Sequence, residues 1–533
     1  MTNTSSLKLL GGMVIALGAL LLGGLPTGCD DNSDEGFVVV LDAKPKGLDP
    51  RFAVSDASAD LVGLLHAGLV SVDTKTGEPE LELAESIDQT SPTTYHVTLR
   101  DGITFHDGEP ITAADVEYTL TKLGTDTVQS PYAQTSRLIE TFETHDPRHF
   151  TLHLTEPHAP FMTKLAMGIV PKHRCEGHSE CPGNPVGAGP FAYVRQEGNH
   201  KYVFESFDDY FAGKPPIDRL IFKVVEDDNT RLLALLGKSV DLVQNAVQPI
   251  MLPVVRDADG IEVETDESFK YTYIGFNLEH EILEDRKVRR AIAYGIDRKA
   301  IIEHKFRGMA TLSSGLLSPA HWAYEEDVPR YPYRPEKARK LLDEAGYPKP
   351  EGSDEPRFAV EFKVSANKFR KSVAGLIAHQ LERIGVKVTV RSYEWGTFFH
   401  DVKSGNFAMT SLQWPSVLDP SLYRWIFHSD NIPSAENRSA GANRGAYRNP
   451  EIDRLLDRGQ RETNRQERKE IYSKVQKILA RDLPYVSLWH EHNIAVMKEG
   501  IRDYYITPNA RFEGLKQTVP KEKTGSHEAK AAK

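Results

Sequence analysis

The chain has 533 residues, of which 26% are charged and 40% are hydrophobic. This length allows two or more domains with a large core, and the composition is that of a soluble globular protein. The formal net charge of −11 argues against a nucleic-acid partner, because proteins that bind nucleic acids usually present a basic face.

The N-terminal residues have the pattern of a targeting segment. Lys8 is the only charged side chain before an uncharged run over residues 9–25, and this run is shorter than the ~20 apolar residues of a membrane span. Small residues, Cys29 and an acidic stretch follow, and together they resemble the lipobox of bacterial lipoproteins. We expect residues 1–28 to be a lipoprotein signal peptide, Cys29 to carry the lipid and residues 29–36 to form a flexible tether.

This resemblance implies a lipid-anchored protein on the periplasmic side of the inner membrane. Asp30 fits that location, because in many Gram-negative bacteria an aspartate after the lipidated cysteine keeps a lipoprotein in the inner membrane. Pro26 stands where the lipobox usually has leucine. An ordinary secretory signal and an uncleaved anchor helix are the alternatives. Different processing would place the protein free in the periplasm or at the cell surface.

Residues 95–120 predict a strand, a turn, a second strand, another turn and a helix. Hydrophobic and polar side chains alternate over residues 95–99, as in a half-buried strand. Two Asp-Gly pairs mark the turns on either side of Ile103 and Phe105, where the alternation resumes. Thr112 then begins a helix, and Asp115 occupies the third position of a near capping box. This segment is predicted to be scaffold, since it contains no catalytic constellation.

The same residues, YHVTLRDGITFHDGEPITAADVEYTL, resemble the signature segment of the family 5 solute-binding proteins of ABC importers. These are the extracytoplasmic oligopeptide-, dipeptide- and nickel-binding proteins. Further blocks of the family follow in the same order between residues 37 and 513. They include Leu-Asp-Pro at 48–50, Gly-Pro-Phe at 189–191, Val-Arg-Arg-Ala-Ile at 288–292 and Asn-Pro-Glu-Ile-Asp at 449–453.

The resemblance implies an α/β protein with the two-lobed periplasmic-binding-protein fold and a ligand cleft between the lobes. In this fold the first lobe is discontinuous and carries an extra subdomain. We expect residues 37–268 to form lobe I with a subdomain at about 85–215, and residues 269–487 to form lobe II. A strand within 488–515 would return the chain to lobe I, and the charged, small-residue tail at 516–533 would be disordered.

An α/β unit is predicted in the second half of the chain. A proline opens the segment 335–346, its apolar residues share one helical face, and Gly346 ends it. A second helical pattern covers residues 369–384. Gly385 ends that helix, and a strand is predicted over 386–390.

Cys175 and Cys181 lie in a loop rich in glycine and proline. In an oxidising compartment we expect them to form a local disulfide bond. The alternative is a metal site completed by His173 and His178, but the spacing of the cysteines is not that of a tight zinc site.

The sequence contains no catalytic motif with specific spacing, such as G-x-S-x-G, H-E-x-x-H or a dinucleotide-binding glycine pattern. Two histidine pairs, His145/His149 and His490/His492, are the other metal candidates. With 19 histidines in the chain, such pairs arise easily. We therefore expect no enzymatic activity, no cofactor and no bound metal. A Ser-His-Asp triad is assembled in space, so a secreted hydrolase stays open as an alternative.

The resemblance also implies where the ligand binds. In peptide-binding relatives, an aspartate shortly after a tryptophan neutralises the α-ammonium of the ligand, which requires a charge partner once it is desolvated. Here residues 415–418 contain no acidic side chain, so the nearest candidate is Asp419, with an Asp-Pro turn as the alternative. The full set of predicted ligand contacts is Tyr132, Trp395, Trp414, Ser416 and Asp419.

Taken together, the matched blocks predict the solute-binding component of an ABC importer. We expect a monomer that captures a peptide or a similar small polar solute and delivers it to the membrane permease and its ATPase. The membrane contact would be made through the lipid on Cys29. A nickel chelate or an oligosaccharide is the alternative ligand within the family. A secreted hydrolase and a receptor-coupled sensory protein are the alternatives outside it.

Overall fold

The structure is a computed structural model that describes residues 35–73, 76–349, 352, 354–434 and 441–521. The predicted signal peptide, Cys29 and the end of the predicted tail lie outside the described residues. Within the described ranges, no helix has the length and apolar composition needed to cross a bilayer.

The elements are numbered in chain order. The strands are β1 (Phe37–Leu41), β2 (Val70–Val72), β3 (Pro79–Leu81), β4 (Ala84–Ser91), β5 (Thr94–Leu99), β6 (Ile139–Thr144), β7 (His149–Leu154), β8 (Phe191–Glu197), β9 (Lys201–Ser206), β10 (Arg219–Val224), β11 (Leu242–Gln244), β12 (Ile261–Asp266), β13 (Tyr271–Phe276), β14 (Ala310–Leu312), β15 (Phe358–Ser365), β16 (Val386–Tyr393), β17 (Met409–Trp414), β18 (Tyr485–Glu491) and β19 (Asn493–Lys498). The α-helices are α1 (Asp56–Leu65), α2 (Ala113–Thr121), α3 (Ala133–Leu138), α4 (Phe161–Lys164), α5 (Lys172–Cys175), α6 (Asp228–Leu236), α7 (Leu252–Arg256), α8 (Arg286–Gly295), α9 (Arg298–Lys305), α10 (Pro335–Glu344), α11 (Lys368–Glu382), α12 (Trp395–Lys403), α13 (Leu422–Phe427), α14 (Pro450–Arg461) and α15 (Arg465–Asp482). Short 3₁₀ helices cover Pro249–Met251, Ser429–Asn431 and Phe512–Lys516.

Seven strands form the first sheet, in the order β12-β19-β11-β1-β10-β9-β8. The central strand β1 pairs in parallel with both β10 and β11. All five of its residues are buried, as is usual for an apolar strand with parallel neighbours on both sides. We call residues 36–266 and 493–521, which are built on this sheet, lobe I.

Six strands form the second sheet, in the order β14-β18-β13-β17-β15-β16. The central strand β13 is antiparallel to both β17 and β18. The predicted α/β unit is present here, because α11 connects the parallel strands β15 and β16. Gly385 has a φ of +86°, which favours glycine and ends the helical segment before β16. We call residues 271–491 lobe II.

A separate four-stranded sheet, β4-β5-β7-β6, forms a subdomain of lobe I. The predicted strand and helix within 95–120 are present as β5 and α2. The predicted second strand is wrong, because the chain there forms only an isolated bridge between Thr104 and Pro110. The capping box is present: the Asp115 carboxylate accepts hydrogen bonds from the backbone N–H and the hydroxyl of Thr112, at 2.9 and 2.8 Å.

The sheets differ from the predicted domain limits at three places. The strands β8 and β9 pair with β10 in the seven-stranded sheet, although both fall inside the predicted subdomain. The strand β18 still belongs to lobe II, so the chain returns to lobe I only at β19. The first residues of the predicted tail are ordered, since Val519 forms a β-bridge with Arg502.

The chain crosses between the lobes at residues 267–270 and again at His492. The two crossing segments lie side by side, because the buried hydroxyl of Ser268 donates a hydrogen bond to the carbonyl of Glu491. Both crossings therefore lie at one edge of the space between the two main sheets, and the candidate site begins there.

Candidate functional site

Two adjoining cavities lie along the crossing segments, with volumes of about 390 Å³ and 160 Å³. Both are lined by Asp42 and Asn245 of lobe I and by Lys270 of the first crossing. The larger volume is within the range of about 300–1,000 Å³ that is usual for small-molecule sites. We call the two cavities together the cleft.

The larger cavity has one wall from each lobe. Lobe I contributes Asp42 and the loop 245–249 that follows β11. Lobe II contributes the N-terminal turns of α11, including Phe369 and Arg370, and Gln413 of β17. A ligand in this cavity would contact both lobes at once.

Asp42 is the acidic side chain at the lobe I wall. It comes directly after the buried strand β1 and is exposed to solvent. Among the described residues, no cation forms an ion pair with its carboxylate within 4.0 Å. Its negative charge is therefore available to a ligand.

Arg370, on the first turns of α11, lines the same cavity from lobe II. The Asn367 side chain caps this helix by accepting a hydrogen bond from the Arg370 backbone N–H at 3.0 Å. The guanidinium Nη2 donates to Gln413 Oε1 at 3.2 Å. No carboxylate of the described chain pairs with Arg370, so its positive charge is also uncompensated.

Lys270, on the first crossing, is a further charged group of the cleft. Burial lowers the pKa of its ammonium, and the surrounding carboxylates of Glu491, Asp56, Asp60 and Asp42 partly oppose that effect. None of these carboxylates lies within ion-pair distance of Nζ in the part of the chain that the structure describes. Lys270 is therefore a desolvated cation that a ligand carboxylate would stabilise.

The smaller cavity ends at an ion pair in lobe I. Arg511 Nη1 is 2.8 Å from Asp60 Oδ1, and Nη2 is 3.6 Å from Asp56. Burial nevertheless raises the pKa of Asp60 to about 6, against the opposing effect of Arg511. This pair closes the end of the cleft with groups that are already matched in charge.

The five predicted ligand contacts do not line the cleft, although Pro415 of the same loop does. Tyr132 belongs to lobe I, and its hydroxyl donates to the backbone carbonyl of Ala53 at 2.7 Å. Burial raises the pKa of this phenol. Its roles as ligand contact and as half-buried loop aromatic both stay open.

Phe399 and Arg444, which were not among the predicted ligand contacts, bring Trp395 and Trp414 together. The ring of Trp395 stacks on Phe399, with centroids 5.2 Å apart. The guanidinium of Arg444 lies 4.9 Å from the Phe399 centroid and 5.7 Å from that of Trp414. Trp425 packs edge-to-face on Trp414 at 5.5 Å. The result is a partly exposed aromatic cluster on lobe II that is continuous in sequence with Pro415.

Asp419 and Ser416 lie deeper in the same loop. The Asp419 carboxylate makes a bidentate pair with Arg468, with N–O distances of 2.6 and 2.9 Å. It also accepts from the Ser421 backbone N–H at 2.8 Å. Arg468 lowers the pKa of Asp419 despite its burial. The charge proposed for a ligand ammonium is thus already compensated. Ser416 Oγ is buried and has no hydrogen-bond partner among the described residues.

Cys175 and Cys181 form the disulfide bond expected from the sequence, with Cα atoms 4.3 Å apart. Both thiols are therefore used, and His173 instead lies 3.0 Å from Asp107. The bonded loop is held by lobe I, because the Cys181 N–H donates to Asp49 Oδ2 at 3.2 Å.

The two other histidine pairs make hydrogen bonds within the fold. His145 Nε2 and His149 Nδ1 lie within 3.0 Å of Thr151 and Asp146, respectively. His490 and His492 contact the hydroxyls of two residues near β14, Ser313 and Thr311.

Sequence reasoning missed three charged residues of the cleft that have no ion-pair partner among the described residues. Asp42, Lys270 and Arg370 belong to no local motif, and they come from three distant parts of the chain. The only sequence signal is positional, since Asp42 ends the first strand and Arg370 opens a well-predicted helix. Their lack of partners becomes visible only in the folded chain.

Comparison with known proteins agrees with the fold. The family described as bacterial extracellular solute-binding proteins, family 5 Middle, matches residues 78–434. The oligopeptide-binding protein AppA of Bacillus subtilis (strain 168) is 27% identical over 486 residues, covering 87% of this chain and 88% of AppA. Heme-binding protein A of Haemophilus influenzae is 28% identical over 526 residues, covering 90% of this chain and 92% of the relative.

A solved structure supports the same assignment. The structure of Bacillus subtilis AppA in complex with a nonapeptide matches with a TM-score of 0.76 at 26% identity, covering 90% of this chain and 98% of that one. The predicted two-lobed periplasmic-binding-protein fold is thus confirmed. The chain belongs to the bacterial extracellular solute-binding proteins of family 5.

Proposed function

We propose that this protein is the extracytoplasmic solute-binding component of an ABC importer and that it captures short peptides with free termini. The observation that carries this proposal is the pair of uncompensated opposite charges on facing walls of one cavity: Asp42 in lobe I and Arg370 in lobe II. The similarity to oligopeptide-binding AppA supports it.

A peptide with free ends is a zwitterion, so it matches both walls. Its α-ammonium would pair with the Asp42 carboxylate. Its α-carboxylate would pair with Arg370, whose planar guanidinium can bind a carboxylate through two parallel hydrogen bonds. Lys270 lies between the lobes, lines both cavities together with Asp42 and adds a second cation to the cleft.

The same arrangement couples binding to closure of the lobes. Because Asp42 and Arg370 belong to different lobes, a ligand can satisfy both charges only when the lobes are close together. Ligand binding therefore favours the closed conformation by its differential affinity for that state. Closure would present the loaded protein to the membrane permease and its ATPase.

The finer points of location and assembly belong to the same proposal. We propose that Cys29 carries a lipid that tethers the protein to the periplasmic side of the inner membrane. The protein would act there as a monomer and release its solute chemically unchanged. Metabolic labelling with a palmitate analogue, lost in Cys29→Ser, would test the anchor.

Calorimetric titration with matched peptides tests the proposed function. We expect tri-alanine to bind, and its N-acetylated and C-amidated forms to bind at least about tenfold more weakly, which corresponds to about 1.4 kcal/mol per lost ionic contact. Asp42→Asn should remove the penalty for acetylation, and Arg370→Gln should remove the penalty for amidation.

Lys371→Gln is the matched control, since Lys371 is an exposed cation on the same helix that does not line the cleft. It should leave all three affinities unchanged. Equal binding of free and blocked peptides would contradict the role of the two charges. Mass spectrometry of the solute released from purified protein addresses the ligand class: recovery of a nickel chelate or an oligosaccharide, without peptide, would overturn the peptide assignment.

A further inference from the structure

Lobe II contains a third cavity, with a volume of about 460 Å³, that is separate from the cleft. All of its lining residues lie between Tyr271 and Ser487, so lobe I contributes nothing to it. It is bounded by β13, β18, the C-terminal part of α15 and the loop 328–333. Its volume is within the range of small-molecule sites.

The six-stranded sheet separates this cavity from the cleft. Successive residues of a strand point to opposite faces of a sheet. On β13, Tyr271 lines the lobe II cavity while Thr272 lines the cleft. The two spaces are therefore on opposite faces of the same sheet.

The walls of the lobe II cavity are mainly aromatic and aliphatic. Tyr423, Phe427, Tyr485 and Leu479 contribute to them. The hydroxyl of Tyr271, which also lines the cavity, is already hydrogen-bonded to Ser487 Oγ at 2.8 Å. These walls suit an apolar or aromatic body.

The charged groups of the cavity are unbalanced in favour of cations. The buried Arg298 donates to three backbone carbonyls, those of Ser313, Ser487 and Tyr331. In the part of the chain that the structure describes, no carboxylate lies within ion-pair distance of Arg298. Buried charges are usually paired, so a guanidinium held only by carbonyls keeps a positive charge that no carboxylate compensates.

Two exposed cations, Lys299 and Arg330, also line the cavity, and neither has an ion-pair partner among the described residues. The two acidic lining residues are already engaged. Asp297 caps α9 by accepting from the Ala300 N–H at 3.0 Å. Glu325 pairs with Lys477 at 3.3 Å. Asp297 has no ion-pair partner among the described residues, but Arg298, Lys299 and Arg330 outnumber it, so the net charge of the lining is positive.

We propose that lobe II carries a second binding site, which takes a small amphipathic carboxylate with an aromatic or aliphatic body. The body occupies the aromatic cavity, and the carboxylate lies at the cation group formed by Arg298, Lys299 and Arg330. Because the site lies within one lobe, it is filled in both the open and the closed conformation and does not compete with the solute in the cleft.

The test uses 4-phenylbutyrate and its neutral analogue 4-phenylbutanamide as probes, titrated by calorimetry with and without tri-alanine. We expect saturable 1:1 binding of 4-phenylbutyrate that tri-alanine does not displace, and binding of the amide that is at least about fivefold weaker. Ala480→Phe, which fills the cavity from α15, should weaken both probes by at least about tenfold.

A charge variant keeps the test independent of core packing. Lys299→Gln combined with Arg330→Gln alters only exposed side chains and should reduce the preference for the carboxylate over the amide, because only Arg298 of the cation group remains. Lys387→Gln, at an exposed site on β16, is the matched control and should change neither affinity. The proposal is overturned if neither probe binds saturably, if tri-alanine displaces the probes, or if both variants bind them like the wild type. The displacement arm requires that tri-alanine binds in the cleft, whereas the other outcomes do not depend on whether the cleft takes peptides.

Discussion

At the residue scale, Asp419 differs most from its expected role. Its carboxylate is held by two hydrogen bonds from Arg468, and Arg468 Nε donates to the Gly459 carbonyl at 3.1 Å. This pair fixes the loop after β17 to α15. The geometry favours a structural role for Asp419 over a free ligand contact.

Asp419→Asn should therefore destabilise the fold. Both side chains are less than one fifth exposed, and removal of one partner leaves Arg468 buried without its counter-ion. The expected loss in free energy of unfolding is about 3–5 kcal/mol in urea denaturation. The Asp430→Asn control breaks an exposed pair with Arg424 and should cost less than about 1 kcal/mol. Wild-type stability combined with a loss of ligand affinity would restore the ligand role.

The contribution of the Asp419–Arg468 pair to the stability of the fold depends on pH in a definite direction. Arg468 lowers the pKa of Asp419 below its unfolded value of about 3.9. The pair therefore stabilises the fold above that pH, and its contribution is lost as the pH falls through the folded pKa. Asp419→Asn should reduce the slope of stability against pH only in this acidic range.

Lys270 gives a second prediction, for the alkaline range. Burial lowers the pKa of its ammonium below the usual lysine value of about 10.4. Peptide affinity should fall as the pH rises through this lowered pKa, because neutral Lys270 no longer attracts the ligand carboxylate. Titration of Lys270 does not itself destabilise the fold, since a lysine with a depressed pKa gives a contribution to stability that increases as it deprotonates.

Lys270→Arg is the matched variant, because arginine stays charged over the whole range. Affinity measured by fluorescence titration should fall less with rising pH in this variant, and the fall that remains reflects deprotonation of the peptide α-ammonium, whose usual pKa is about 8. A pH profile identical to that of the wild type would assign the titration to another group.

At the element scale, one carboxylate joins two helices. Asp115 caps α2 through Thr112, and its second oxygen accepts from the Lys172 N–H at the start of α5, at 2.9 Å. The capping box was predictable from residue types alone. The contact with α5 was not, because it joins positions 57 residues apart.

Asp115→Ala should destabilise the protein by about 1–3 kcal/mol, because it leaves buried N–H groups of both helices without an acceptor. Glu117→Ala is the control, since Glu117 lies on an exposed face of α2. Thermal and urea denaturation measure the loss of stability in both variants. A loss no larger than that of the control would mean that water replaces the carboxylate.

Sequence patterns predicted helices and strands correctly where the element did not depend on contacts with a distant part of the chain. The helices α10 and α11 and the strand β5 follow from apolar spacing, an N-terminal proline and glycine stops. The second predicted strand near Ile103 failed, since alternation does not supply a pairing partner. The end of strand β18, from residue 488, was assigned to lobe I, whereas its pairing with β13 places it in lobe II. Strand pairing is set by long-range contacts that alternation does not encode.

At the scale of the whole molecule, the same limit applies to the site. Charged residues from both lobes and from a crossing segment line the cleft. They can bind a ligand because they have no ion-pair partner among the described residues. Tyr132, Trp395 and Trp414 were selected by resemblance, and their contact with a ligand stays a prediction. The family and the two-lobed fold could be predicted from sequence, while the charges that select the ligand required the packed structure.

The lobes also contact each other outside the cleft. The Ala159 N–H of the subdomain donates to the Gln460 carbonyl of α14 at 2.8 Å. Arg461 of α14 pairs with Glu156 at 3.2 Å, and Arg465 pairs with Glu78. These contacts join lobe I to lobe II without touching the cleft, so they contribute to the free energy of closure.

Arg461→Glu should weaken peptide binding although the residue is remote from the ligand. The variant replaces an attraction to Glu156 with a repulsion, which at an exposed site is worth about 0.2–1 kcal/mol or slightly more. A smaller closed population raises the apparent dissociation constant in proportion, by about two- to fivefold.

Glu156→Arg in the Arg461→Glu background restores the attraction with reversed signs and should restore the affinity in calorimetric titrations. Arg458→Glu, on the same helix but paired with Glu467 within lobe II, should leave affinity unchanged. If the reversed pair binds no better than Arg461→Glu alone, this contact does not contribute to closure.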